Sequence, residues 1–93
     1  PTSMNQKFLW DNSGEIVVDG LTPIRELNKQ LGINLPLDGP RTINGLLLET
    51  LQDLPQTNLS VKIGDVTAEI LSVQGRLIKK IRIKKHASNK QVS

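Results

Sequence analysis

Apolar positions change their spacing along this chain, and each change marks an element. Lys7 to Trp10 and Glu15 to Val18 flank Asp11-Asn12-Ser13-Gly14, a run of turn formers, which predicts a short hairpin. Asp19-Gly20 stops its second strand. Thr22 then offers an N-cap hydroxyl and Pro23 the first helical position, where a missing N–H costs nothing. Ile24, Leu27 and Leu31 recur at helical spacing up to Gly32, which is placed for a left-handed C-terminal cap, so the pattern predicts an amphipathic helix. The stretch Ile33 to Pro40, with two prolines and a glycine, predicts an ordered connector from which Leu35 and Leu37 can pack inward.

Thr42 is a cap for a second helix running to about Asp53. Its Ile43, Leu46, Leu47, Leu48 and Leu51 cover more than one face, so it is expected to be the most buried element. Gly45 inside it costs ~1 kcal/mol of helix propensity against alanine, which points to close backbone approach by a neighbour. Pro55 ends it. Next, Val61 and Ile63 alternate with Lys62, Gly64-Asp65 turns the chain, and Val66, Ala68 and Ile70 alternate with polar residues, giving a second hairpin. The apolar parity slips from Ile70 to Leu71 and Val73, the mark of a β-bulge. After Gln74-Gly75, Leu77 to Lys85 reads as a last strand with Ile81 and Ile83 on one side and Lys80, Arg82 and Lys84 on the other. The predicted order is β-β-α-α-β-β-β: an α+β domain, a small mostly antiparallel sheet with two helices on one face. The domain is expected over 7–85, with 1–6 as a linker from an upstream region and 86–93 as a polar tail.

Composition narrows the chemistry. With 93 residues and 37% hydrophobic content there is material for one small core. One Phe, one Trp and no Tyr leave that core to Leu, Ile and Val and argue against base-stacking platforms. Cysteine is absent, which removes disulfides, thiolate metal sites and a cysteine nucleophile. No apolar run approaches the ~20 residues of a bilayer-crossing helix. The glycines do not fit a dinucleotide or phosphate-loop spacing, and Leu46 stands where a phosphate-loop lysine would be. The single His86, in the polar tail, cannot make a zinc site or serve a serine nucleophile. No catalytic, cofactor-binding or metal-binding residues are assigned, and no cofactor is expected.

Charge is segregated. Residues 1–75 hold all nine acids and five bases, a net −4, whereas from Arg76 onward there are seven bases and no acid, a net +7. The one strong polar feature is therefore the last strand, where Arg76, Lys79, Lys80, Arg82 and Lys84 form a candidate docking face. Three readings compete: an edge strand kept from pairing by its lysines, a docking face for an acidic partner, an anionic ligand or an anionic membrane surface, and a nucleic-acid contact, the last disfavoured by the missing aromatics. In the docking reading, reversing Lys80 and Arg82 to glutamate is expected to leave the fold intact.

Two stretches carry a resemblance to a known family. Val17-Val18-Asp19-Gly20-Leu21-Thr22-Pro23-Ile24-Arg25-Glu26-Leu27-Asn28 and Leu35-Pro36-Leu37-Asp38-Gly39-Pro40-Arg41-Thr42-Ile43-Asn44-Gly45-Leu46, followed by Leu54-Pro55, resemble the CorC/HlyC transporter-associated domain. The ending is similar too: a small hairpin, Val73-Gln74-Gly75-Arg76 and the basic strand Ile78 to Ile83. The resemblance spans about Glu15 to Lys85 and leans toward the CorB-like branch. It implies the C-terminal cytoplasmic module of a bacterial, hemolysin-like membrane protein, placed after a transmembrane domain and a CBS pair. Such proteins are associated with magnesium and cobalt efflux, and the module with modulation of ion transport. The implied partners are the CBS pair and transmembrane domain of the same protein, with a homodimer as a further option. The implied fold is similar to a domain of FAD-binding oxidoreductases, whose flavin-binding parts lie outside the shared piece. A small-ligand sensor, binding a nucleotide-like or other anionic metabolite between the helices and the sheet, is the alternative.

Overall fold

The structure, a computed structural model, describes residues 8–85. The expected linker 1–6, Lys7 and the tail 86–93 with His86 and Lys90 lie outside the described residues. Six elements follow one another: β1 (Glu15–Asp19), α1 (Ile24–Leu31), α2 (Ile43–Leu51), β2 (Ser60–Ile63), β3 (Val66–Gln74) and β4 (Leu77–Lys85). The strands form one antiparallel sheet in the order β1-β4-β3-β2, so the last strand lies between the first and the third. This is the α+β architecture that the pattern predicts, with one strand fewer.

The missing strand is the first. Phe8 to Trp10 is not a strand, and the order is β-α-α-β-β-β. The Asp11 turn does form: its side chain accepts from the N–H groups of Ser13 and Glu15 at 2.8 and 2.9 Å. The chain before the turn leaves the sheet, because Phe8 and Trp10 find partners on α1 and bury apolar surface against the end of the core.

Both helices use the signals that the residues supply, with one change. Gly32 caps α1 in the left-handed region at φ 69°, and the Thr42 side chain accepts from the Gly45 N–H at 3.3 Å to cap α2. Thr22, however, does not cap α1. Pro23 occupies the cap position itself, with ψ 137°, because its backbone forms an antiparallel bridge with Thr42. The α2 helix ends at Leu51, with Gln52 as its left-handed cap, rather than at Asp53. The close approach expected at Gly45 is present: a Cβ there would lie 2.9 Å from the Pro40 Cβ.

The core lies between the helices and one face of the sheet, joining Ile24, Leu27, Ile43 and Leu47 to Ile70, Ile78, Ile81 and Ile83. It corrects two expectations. The centre of the sheet is buried at least as deeply as α2, whose Leu48 and Leu51 stay half-buried because a helix on the outside of a two-layer domain presents only one stripe to the core. Leu35 packs inward, held by paired hydrogen bonds between its backbone and the Asn28 side chain, while Leu37 remains 64% exposed.

The parity slip is resolved on both central strands. Ile70 faces Ile81, Ser72 faces Lys80 and Val73 faces Ile78, so Leu71 is extra on β3 and Lys79 is extra on β4. The two irregularities cancel, and Ile78 turns into the core beside Ile81 although their spacing is odd. At this kink β1, α2 and β4 are tied together. Gly20 N–H donates to the Lys79 carbonyl at 2.8 Å, Asn44 N–H to the Gly20 carbonyl at 2.7 Å, and Ile78 N–H to the Asn44 Oδ1 at 2.8 Å.

Candidate functional site

The face of the sheet turned away from the core is built by register. Paired residues share a face, so Glu15, Val17 and Asp19 of β1 stand beside Lys84, Arg82 and Lys80 of β4, which in turn stand beside Thr67, Glu69 and Ser72 of β3. Three cations of β4 thus lie between the acids of two neighbouring strands. Arg82 Nη1 is 3.1 Å from Glu69 Oε1 and its Nε is 3.6 Å from Glu15 Oε1. Lys84 Nζ is 3.5 Å from Glu69 Oε1, and Lys80 Nζ is 3.8 Å from Asp19 Oδ2.

The charge segregation seen along the chain is therefore partly undone by folding. Each of these pairs is partly solvated, and such pairs contribute ~0–1 kcal/mol apiece. Their effect on the surface is larger than their effect on stability: on this face three carboxylates offset the three cations of β4, and Lys62 of β2, opposite Thr67, adds a fourth cation. The reading of β4 as an edge strand guarded by lysines is corrected by topology, since β4 has a partner on each side. The edges of the sheet are β1 and β2.

The five residues of the candidate docking face do not share one surface. Lys80, Arg82 and Lys84 stand together on the open face. Arg76 is in the β3–β4 turn and lines a cleft of about 360 Å³ with Asp53, Leu54 and Pro55 beyond the end of α2. Lys79 is the extra residue of the β4 irregularity, half-buried, with its carbonyl bonded to Gly20. Among the described residues, no carboxylate forms an ion pair with Arg76 or Lys79.

Among the described residues, the space between the helices and the sheet is closed by packing. It is filled by the fully buried side chains of the core. A larger groove, of about 640 Å³, opens elsewhere, between the first turn of α1 and the connector to α2. Arg25 and Glu26 stand on one wall, Leu37 and Arg41 on the other. The groove is held in shape by backbone contacts, the Ile24 N–H donating to the Arg41 carbonyl at 2.8 Å beside the Pro23–Thr42 bridge. Its two walls come from the two stretches that carried the sequence resemblance. Glu26 accepts from the Gln30 side chain at 3.2 Å, whereas neither guanidinium has an ion-pair partner among the described residues.

Among the described residues, no group of three His, Asp or Glu side chains could hold a metal ion, and no helix is long and apolar enough to cross a membrane. Sequence reasoning missed the acids. Alternation placed Glu69 opposite the apolar side of its strand, Asp19 was read as a strand stop and Glu15 was given no face, and only the strand order shows that the basic strand runs between the three.

The profile of the CorC_HlyC transporter-associated domain matches residues 11–87. Over 72 residues, 77% of this chain, the sequence is 39% identical to the UPF0053 inner membrane protein YfjD of Escherichia coli K12, and the chain spans 17% of the length of that relative. The fold is similar to the crystal structure of a conserved protein of unknown function from Haemophilus influenzae Rd KW20, with a TM-score of 0.78 and 30% identity, covering 87% of this chain and 100% of that one. A region from Neisseria meningitidis MC58, described in association with a Mg²⁺ and Co²⁺ transporter (CorC), shares the fold at a TM-score of 0.77 and 20% identity, covering 87% of this chain and 100% of that one. With an antiparallel four-stranded sheet, two helices and a match across nearly all the described residues, the chain belongs to the CorC_HlyC family of transporter-associated domains.

Proposed function

We propose that this chain is a non-catalytic accessory domain of a bacterial membrane ion transporter of the magnesium and cobalt efflux type. It modulates transport from the cytoplasmic side through contacts with the CBS pair and transmembrane domain of the same protein, or with a second copy of itself. The observation that carries this reading is the family match over residues 11–87, joined to a 39% identical relative that is an inner membrane protein, of whose length the match spans 17%. The candidate docking face works in two parts. Arg76 and Lys79 are free to meet carboxylates of a partner, while Lys80, Arg82 and Lys84 engage one by exchanging it for Glu15, Asp19 and Glu69.

This division changes the test. An Arg82→Glu reversal would set a third carboxylate beside Glu15 and Glu69 and strain the fold, so Arg76→Glu with Lys79→Glu is the cleaner variant. In the full-length protein, the double variant is expected to lower Mg²⁺ or Co²⁺ efflux, or its regulation, with the melting temperature of the domain unchanged. Efflux equal to the unaltered protein at equal membrane abundance removes these two residues from the mechanism. Equal efflux after deletion of 7–85 removes the accessory role itself.

The groove at the start of α1 favours a second reading, a sensor of an anionic, nucleotide-like metabolite, because two guanidiniums without carboxylate partners stand on opposite walls. Calorimetry of the chain against nucleotides and flavins decides it. Saturable heat that Arg25→Ala and Arg41→Ala each abolish supports a sensor, and no heat leaves the docking role.

A further inference from the structure

The segment before the Asp11 turn is held by contacts of a different kind from those that hold the sheet. The Phe8 N–H donates to Gln30 Oε1 at 2.9 Å, and the Gln30 amide is steadied in turn by Glu26 at 3.2 Å. The Trp10 indole Nε1 donates to the Leu31 carbonyl at 3.1 Å, one of the terminal carbonyls that the end of α1 leaves without a helical donor. Lys85 Nζ stands 5.3 Å from the centre of the Trp10 ring, and the Lys85 N–H donates to the Gly14 carbonyl at 2.8 Å. Leu9, between the two anchored aromatics, is 74% exposed.

We propose that Phe8–Trp10 is a latch that docks and undocks as a unit while the sheet and helices stay folded. Docked, it ties the incoming chain to the last turn of α1 and to the end of β4. Undocked, it bares the apolar end of the core, where Phe8 and Trp10 had packed, and frees the path by which the chain reaches the domain. Several features separate it from the core. Among the described residues it makes no ladder hydrogen bonds, its two bonds to α1 each involve a side chain, and removing it leaves every described strand pair intact. Its use in relaying motion rests on the accessory role proposed above, but the latch is a property of this chain alone.

Trp10 is the only tryptophan in the sequence, so its fluorescence reports the latch while far-ultraviolet circular dichroism reports helices and strands. In a urea titration of the 93-residue chain, the Trp10 emission is expected to shift red at a lower midpoint than the loss of dichroism. Gln30→Ala and Lys85→Met are each expected to move the fluorescence midpoint further down while the dichroism midpoint stays in place. Coincident midpoints in the unaltered chain and in both variants would make the segment part of the cooperative core and overturn the latch. That result would leave the accessory role untouched, since the role is read by efflux from the full-length protein.

Discussion

The two faces of β4 teach different lessons although they alternate along one strand. Ile78, Ile81 and Ile83 are fully buried against the helices, each fixed by packing that admits little change of volume. Lys80, Arg82 and Lys84, on the other face, are held by solvated ion pairs that water and salt can replace. Stability is concentrated on the apolar face. The charged face is free to carry recognition, because exchanging its partners costs the fold little.

The sharpest way to break this contrast is at the junction between the faces. A Cβ on Gly20 would sit 1.8 Å from the Ile78 carbonyl oxygen and 2.9 Å from its carbon, with the Asn44 Cβ 3.4 Å away, so the clash is with strand backbone that cannot swing aside. Gly20→Ala is expected to cost about 4 kcal/mol or more and to abolish a cooperative thermal transition. A normal melt would mean that the β1–β4 junction is softer than its hydrogen bonds indicate. Ile81→Ala comes next, at ~2–5 kcal/mol in urea unfolding, as the loss of a fully buried branched side chain from the core.

Asn44→Ala removes the acceptor for the Ile78 N–H at the irregularity and is expected to cost ~1–3 kcal/mol by the same measurement. Arg82→Gln is the smallest change, at up to ~1 kcal/mol, with a cost that shrinks as salt is raised. If Arg82→Gln cost as much as Ile81→Ala, the open face would be structural and a poor surface for exchangeable contacts.

Much of the fold was legible because local rules and the global fold agree. Gly32 and Thr42 cap the helices where their backbone and side-chain preferences require, and the span Leu77 to Lys85 was readable from alternation alone. The segment Phe8–Trp10 was not legible. Its place before the Asp11-Asn12-Ser13-Gly14 turn fits a hairpin strand, and only the presence of Gln30 and the Leu31 carbonyl within reach draws it off the sheet. Thr22 failed as a cap for a similar reason, since Pro23 is claimed by Thr42, a residue far along the chain.

The candidate site was legible as composition and illegible as a surface. Six bases between Gly75 and His86 identify a basic strand, and alternation separates Lys80, Arg82 and Lys84 from the isoleucines. Neither says which strands lie beside it. The sequence by itself determined the two helices and four of the strands it predicted, the Gly32 and Thr42 caps, the core side of β2 and β3 and of Ile81 and Ile83 on β4, because these follow from spacing within a few residues, and two longer stretches carried the family resemblance. Tertiary structure decided that the basic strand is central, that Glu15, Asp19 and Glu69 neutralise it, and that Arg76 and Lys79 stand apart. Electrostatic pairing depends on distance in space, and distance in space is set by strand order, which local pattern does not encode.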